Sequence, residues 1–123
     1  MEVWTLNWTK LEQLTNEAAT NLDNDIPGVF RLSYKHKDDK YYVFFVGQST
    51  SIKEYFLAYY EDGVIDNVCV KNHISSGNCY FRYAQISNEE VRNATEKQAY
   101  NLYKPECNKV QPQGRDDIQV NLS

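Results

Sequence analysis

Apolar and polar positions change period several times along the chain, and each change predicts an element. Thr9-Lys10-Leu11-Glu12 has the form of a capping box, a hydroxyl residue followed three positions later by Glu. Leu11, Leu14, Ala18 and Leu22 then recur at helical spacing and predict a helix over 9–22. Pro27 disfavours helical backbone at Ile26 and ends that segment. Residues 28–34 and 41–47 are rich in β-branched and aromatic types and predict two strands joined by a polar hairpin loop, residues 35–40. The run Tyr41-Tyr42-Val43-Phe44-Phe45-Val46 is apolar or aromatic throughout, which predicts a central strand covered on both faces.

Ser51-Ile52-Lys53-Glu54 is a second capping box, opening a helix over 51–60 with Ile52, Phe56 and Tyr59 facing inward. Glu61-Asp62-Gly63 ends it. Residues 64–70 read as a short strand or an irregular segment, and Ser75-Ser76-Gly77-Asn78 as a turn. Residues 79–85 predict a third strand. Ser87-Asn88-Glu89-Glu90 is a third capping box, starting a helix that stops near 102, ahead of Pro105. The tail around Gln111-Pro112-Gln113-Gly114 is polar and rich in breakers, and is expected to be mobile. Three segments follow: an acidic N-terminal helical extension (1–24), a core domain (25–108) and a polar tail (109–123). The expected fold is α/β of the α+β kind, a small, mainly antiparallel three-stranded sheet flanked by helices, with an extra N-terminal helix.

Composition refines this. A chain of 123 residues with 41% hydrophobic and 24% charged residues is one ordinary globular domain. Ten Tyr and five Phe imply an aromatic core with phenol hydroxyls at its edge. The net charge of −4 belongs to residues 1–27, which hold one Lys and five acids, whereas residues 28–108 hold ten of each sign. Duplex-binding proteins concentrate Lys and Arg on one face. A neutral core favours a protein partner over nucleic acid. No apolar run approaches the roughly 20 residues that span a bilayer, and the N-terminus lacks a signal-peptide layout, so a cytoplasmic protein without a membrane partner is expected. Cys69, Cys79 and Cys107 are odd in number and widely spaced, fitting neither a disulfide framework nor a paired-cysteine zinc site. His36 and His73 fall in expected turns and read as surface residues. Trp4 and Trp8 read as packing residues for the N-terminal segment. Phe81-Arg82-Tyr83 reads as a core strand rather than an RNA-stacking one.

Four features fall in a set order. Gly28-Val29-Phe30 begins a strand, and Phe45-Val46-Gly47 closes the next, followed by Gln48-Ser49 and a capped helix. Cys79-Tyr80-Phe81-Arg82-Tyr83-Ala84 forms the third strand. The last helix carries Glu96, with Pro105 nine and Asn108 twelve residues on. This pattern resembles the GIY-YIG nuclease superfamily over residues 28–108, about two thirds of the chain. The fourteen residues between Phe30 and Phe45 make a hairpin longer than is usual in that family, which costs little closure entropy.

The resemblance implies two motif tyrosines and an arginine around a metal-holding glutamate. A tyrosine helps activate water, the arginine stabilises developing phosphate charge, and the glutamate holds one divalent ion. The tyrosine positions fall on Phe30 and Phe45, and the arginine position on Tyr55. A position that is often polar falls on Tyr59, while Glu96 and Asn108 match directly. Phenylalanine keeps the shape of tyrosine but has no hydroxyl, and Tyr55 cannot supply a guanidinium's permanent charge. Proton transfer by a placed group is worth roughly 10²–10⁴-fold in rate. The expectation is a nuclease-like module with a degenerate site, acting as a binding or regulatory domain and needing no cofactor. The alternative is a divergent endonuclease using Mg²⁺ or Mn²⁺ on Glu96, with Arg31, Arg92, Tyr34, Tyr41 or Tyr42 as relocated partners. In that case DNA would occupy the inherited groove. In the first reading Arg92 and Glu96, one helical turn apart, form an ion pair, and Asn108 is a turn residue.

Overall fold

The computed structural model describes residues 1–61 and 67–122. In chain order the elements are β1 (Glu2–Trp4), β2 (Glu12–Gln13), α1 (Asn16–Thr20), β3 (Gly28–Lys35), β4 (Tyr41–Ser49), α2 (Ile52–Ala58), α3 (Val68–Ser75), β5 (Tyr80–Gln85), α4 (Glu89–Tyr103) and β6 (Ile118–Val120). An antiparallel sheet in the order β2-β5-β3-β4 organises the fold. The three expected strands form its body, and the two-residue β2 extends it.

β3, not β4, is the central strand, and residues Gly28 to Ser33 are all buried. The continuous apolar run in β4 has another cause. The register between β3 and β4 shifts at Leu32/Ser33, pairing Leu32 with Phe45 and Ser33 with Val43. This bulge sends Phe44 and Phe45 into the same core, with Phe30, Leu32 and Phe56. Two adjacent aromatics therefore point the same way, which alternation cannot anticipate. The free edge of β4 is covered by the segment after α4. Cys107 N–H donates to Phe44 O at 2.9 Å, and the Asn108 amide both accepts from Val46 N–H (3.0 Å) and donates to Val46 O (2.9 Å). Asn108 is thus an edge clamp as well as a turn residue, its own N–H donating to Pro105 O at 3.4 Å.

The sheet has a core on each face. Phe30 and Leu32 pack with Ile52 and Phe56 of α2, while Val29 and Ala84 pack with Val91 and Ala94 of α4 and with Ile118 and Val120 of β6. Gly28 permits β5 to approach, since a Cβ there would lie 2.2 Å from Ala84 O.

The N-terminal reading needs correction. No helix spans 9–22: Thr9 bonds to Tyr83 of β5, β2 follows, and Thr15 rather than Thr9 caps the short α1. Hydrogen bonding to the sheet edge overrides the helical spacing of Leu11 and Leu14. The tail is docked as well: β6 pairs in parallel with β1, and Ile118 and Val120 are buried. Ser51 caps α2 as expected, but Asn88, not Ser87, caps α4. Residues 62–66 lie outside the described residues, and with them Asp62 and Gly63 of the expected helix stop and the first three residues of the uncertain stretch at 64–70; from Val68 the chain is helical.

Candidate functional site

Phe30, Phe45 and Tyr55 form one aromatic cluster at the ends of β3 and β4 and on the first turns of α2. The Phe30 ring centroid is 6.1 Å from Phe45, 4.9 Å from Tyr55 and 5.0 Å from Phe56. Gly47 makes this packing feasible, because a Cβ there would lie 2.7 Å from Phe30 Cζ and 3.1 Å from the Phe45 ring. Neither phenylalanine offers a donor or acceptor to this space. Burial raises the Tyr55 phenol above its ordinary value; the neighbouring Tyr59 hydroxyl offsets part of that and the Glu96 carboxylate adds to it, so Tyr55 stays protonated. Tyr59 packs edge-on against Tyr55 at 5.6 Å; its hydroxyl is buried and has no partner among the described residues. Burial pushes the Tyr59 phenol up as well.

Glu96, half-buried on α4, is near enough to Tyr55 for its charge to act on that phenol, and it bonds to Gln48. Gln48 Nε2 donates to Glu96 Oε1 at 3.1 Å and to Asn93 Oδ1 at 2.6 Å, while Gln48 Oε1 accepts from Arg92 Nε at 3.3 Å. Only this orientation of the amide satisfies all its neighbours, because a guanidinium only donates and a carboxylate only accepts. Burial raises the Glu96 carboxyl, and the Gln48 bond partly offsets that.

The expected Arg92–Glu96 ion pair is not formed. Among the described residues the ion pairs do not include Glu96. Arg92 instead turns back to the start of α4, where one of its terminal nitrogens donates to Ile86 O (3.1 Å) and Ser87 O (2.9 Å). Two carbonyls ahead of the helix and a neutral amide engage its Nε–H and one of its terminal nitrogens.

The other proposed relocated partners lie elsewhere. Arg31, next to Phe30, points to the opposite face of β3, where it donates to Tyr103 Oη (2.6 Å) and Leu122 O and stacks over Trp8 at 4.6 Å. Tyr42 Oη donates to Asp38, Tyr41 packs on Tyr80, and Tyr34 stacks on His73. The hairpin tyrosines serve packing.

Known structures share the fold. No protein-family model matches the chain, and no curated protein matches it. The solved structures do. One is the N-terminal GIY-YIG endonuclease domain of UvrC from Thermotoga maritima bound to magnesium, with a TM-score of 0.55 and 17% identity, covering 76% of this chain and 94% of that one. Another is a tyrosine-to-phenylalanine point mutant of that domain bound to the catalytic divalent cation, with a TM-score of 0.57 and 18% identity, covering 77% and 96%. The chain has the GIY-YIG fold.

On the GIY-YIG fold the resemblance points to Glu96 as the residue for a divalent cation, and its surroundings suit one poorly. It offers one carboxylate, with Oε1 already bonded to Gln48. Among the described residues, no group of three His, Cys, Asp or Glu side chains includes Glu96. Mg²⁺ keeps several waters and needs few protein ligands, but those few must be free and well placed. Gln48 and Asn93 were missed from the sequence as members of this network. The Gly47-Gln48-Ser49 run was the available signal, but it continues β4 instead of turning: Gln48 pairs with Val29, whose face of the sheet α4 covers.

The cysteines require a further correction. Cys69 of α3 and Cys107 are joined in a disulfide with Cα atoms 5.4 Å apart, leaving buried Cys79 free. Thirty-eight residues separate the pair, and spacing alone did not announce it. His73 is also not a turn residue: it lies in α3, half-buried, with its ring 4.0 Å from Phe44.

Proposed function

We propose that this chain is a GIY-YIG nuclease-like module that no longer cuts nucleic acid and serves as a binding or regulatory domain. The reading rests above all on the Phe30–Phe45–Tyr55 cluster, which packs hydrophobic shape where the resemblance implies catalytic hydroxyls and a guanidinium. The engagement of Glu96 with Gln48 and of Arg92 with backbone carbonyls points the same way. The fold is kept and the reactive groups are absent or occupied.

The partner in this reading is a protein. Residues 28–108 carry equal numbers of acidic and basic residues, which gives little of the phosphate attraction that drives duplex binding. No helix among the described residues is long and apolar enough to cross a membrane. We place the protein in the cytoplasm, where the Cys69–Cys107 pair would be mostly reduced. No resident cofactor belongs to this reading.

One observation favours the alternative of a divergent metal-dependent endonuclease. The solved UvrC domains with a tyrosine replaced by phenylalanine are still bound to their catalytic divalent cation. Losing such a hydroxyl therefore does not by itself abolish metal binding there. A plasmid-nicking assay with Mg²⁺ or Mn²⁺ separates the two readings, and salt-dependent DNA binding without nicking would shift the partner from protein to nucleic acid.

A further inference from the structure

We propose that Cys69, Cys107 and Glu106, together with His73, form a redox-gated site for a divalent ion of the zinc class, closed while the cysteines are a disulfide and open once a dithiol has reduced them. This site lies on α3 and the segment after α4, and it does not depend on how the Glu96 region is read.

The geometry carries the proposal. Both sulfurs and a Glu106 carboxylate oxygen lie within 4.8 Å of one another. Zinc–ligand bonds of about 2.0–2.3 Å in a tetrahedron put ligand atoms about 3.3–3.8 Å apart, so these atoms need only small side-chain rotations once the sulfurs separate. His73 lies four residues after Cys69, on the same face of α3. Its Nε2 is 2.9 Å from Glu106 Oε1, which keeps the imidazole beside the three clustered donors, as a neighbour of their group rather than a member of it. Stacking on Phe44 at 4.0 Å and on Tyr34 at 5.4 Å fixes the ring. Two thiolates, an imidazole and a carboxylate make a donor set that suits zinc rather than magnesium or calcium.

Access and chemistry fit as well. Glu106 is exposed and Cys69 and His73 are half-buried while Cys107 is buried, so a reductant and an ion approach from the Cys69 and Glu106 side. Cys79, buried and with its thiol pushed up to about 12, does not compete. A dithiol delivers two electrons and two protons to the Cys69–Cys107 bond, giving two protein thiols and its own cyclic disulfide. Zinc then displaces the two thiol protons as the Zn–S bonds form. In the reverse direction, a small disulfide takes two electrons from the thiolates, is released as two thiols after taking up two protons, and the ion leaves. In both states α3 stays fastened to the segment whose Cys107 and Asn108 cover the edge of β4. The ion replaces one staple with another.

The test uses the full chain, reduced with a phosphine and desalted without oxygen, with Co²⁺ as a spectroscopic probe. The expected result is one Co²⁺ per chain, with a thiolate-to-cobalt charge-transfer band and intense tetrahedral bands that Zn²⁺ abolishes; the oxidised chain gives neither. Cys69→Ser should remove the charge-transfer band and most of the binding. His73→Ala and Glu106→Gln, which leave both cysteines in place, should each weaken Zn²⁺ binding about tenfold or more. The proposal is overturned if reduced protein takes up no Co²⁺, if oxidised protein takes up as much, or if the spectrum lacks a thiolate band. If Cys69→Ser fails to fold by circular dichroism, unchanged Zn²⁺ affinity in both His73→Ala and Glu106→Gln overturns it instead.

Discussion

Gln48 Nε2 donates to Glu96 Oε1 at 3.1 Å, and the same amide accepts from Arg92 on its other side. A neutral side chain thus stands between a carboxylate and a guanidinium that helical spacing would have paired directly. The arrangement lets α4 dock on the sheet while a charge remains half-buried, and it occupies the one acidic group that the resemblance would give to a metal.

Replacing that charge should help the fold. Burial holds the Glu96 carboxyl above its ordinary value. Its protonated form therefore favours the folded chain: this contribution is complete below the ordinary carboxyl range and is lost as pH rises through the folded-state value. Glu96→Gln keeps an acceptor for Gln48 and carries no charge, so its Tm should exceed that of wild type at neutral pH, with the gap closing as the solution is acidified. A variant that melts below wild type at neutral pH would mean that the carboxylate has a favourable charged partner.

Asn108 should be worth more than its surface position suggests. Its amide satisfies both Val46 N–H and Val46 O, so Asn108→Ala leaves two backbone groups without partners on a largely buried strand. A loss of about 2–4 kcal/mol in urea unfolding is expected, with Asn108→Asp intermediate because it retains the acceptor. Equal stability of Asn108→Ala and wild type would show that water serves the edge equally well.

At Gly47 the limit is space. An added methyl meets the Phe30 ring at 2.7 Å in a cluster without room to yield, so Gly47→Ala should cost about 1–3 kcal/mol. The double variant Gly47→Ala/Phe30→Leu should recover part of that loss, and strict additivity of the two changes would argue against a direct clash.

These positions indicate what the sequence could convey. Gly28 at the start of β3 and the Ser51 cap stand where a reading of the sequence puts them, because each is set by local backbone or close-packing demands. The neighbourhood of Phe30, Phe45 and Tyr55 followed from the resemblance, not from the local sequence. Non-local competition hid the rest. Leu11 and Leu14 have helical spacing, yet Thr9 bonds to Tyr83 of β5 and Leu14 to Cys79 just ahead of it instead. Phe44 and Phe45 break alternation through a bulge. The Cys69–Cys107 bond joins segments far apart in sequence. The tail looked mobile because its two buried residues, Ile118 and Val120, are outnumbered by polar neighbours.

Arg31 should prove to be the anchor of that tail. It donates to Tyr103 Oη and Leu122 O, is stacked on Trp8, and is itself buried. Arg31→Ala removes hydrogen bonds from a charged donor, each worth about 1.5–3 kcal/mol. Amide hydrogen exchange should quicken in residues 118–122 more than in β4, and uniform acceleration across the chain would contradict a local anchor.

The central claim is that the retained fold no longer cuts, and a supercoiled-plasmid nicking assay with purified wild-type chain in Mg²⁺ and in Mn²⁺ tests it most directly, with Glu96→Ala run beside it. The account predicts no nicking above buffer in either metal and no difference between the two proteins. Metal-dependent nicking by wild type that disappears in Glu96→Ala would contradict it.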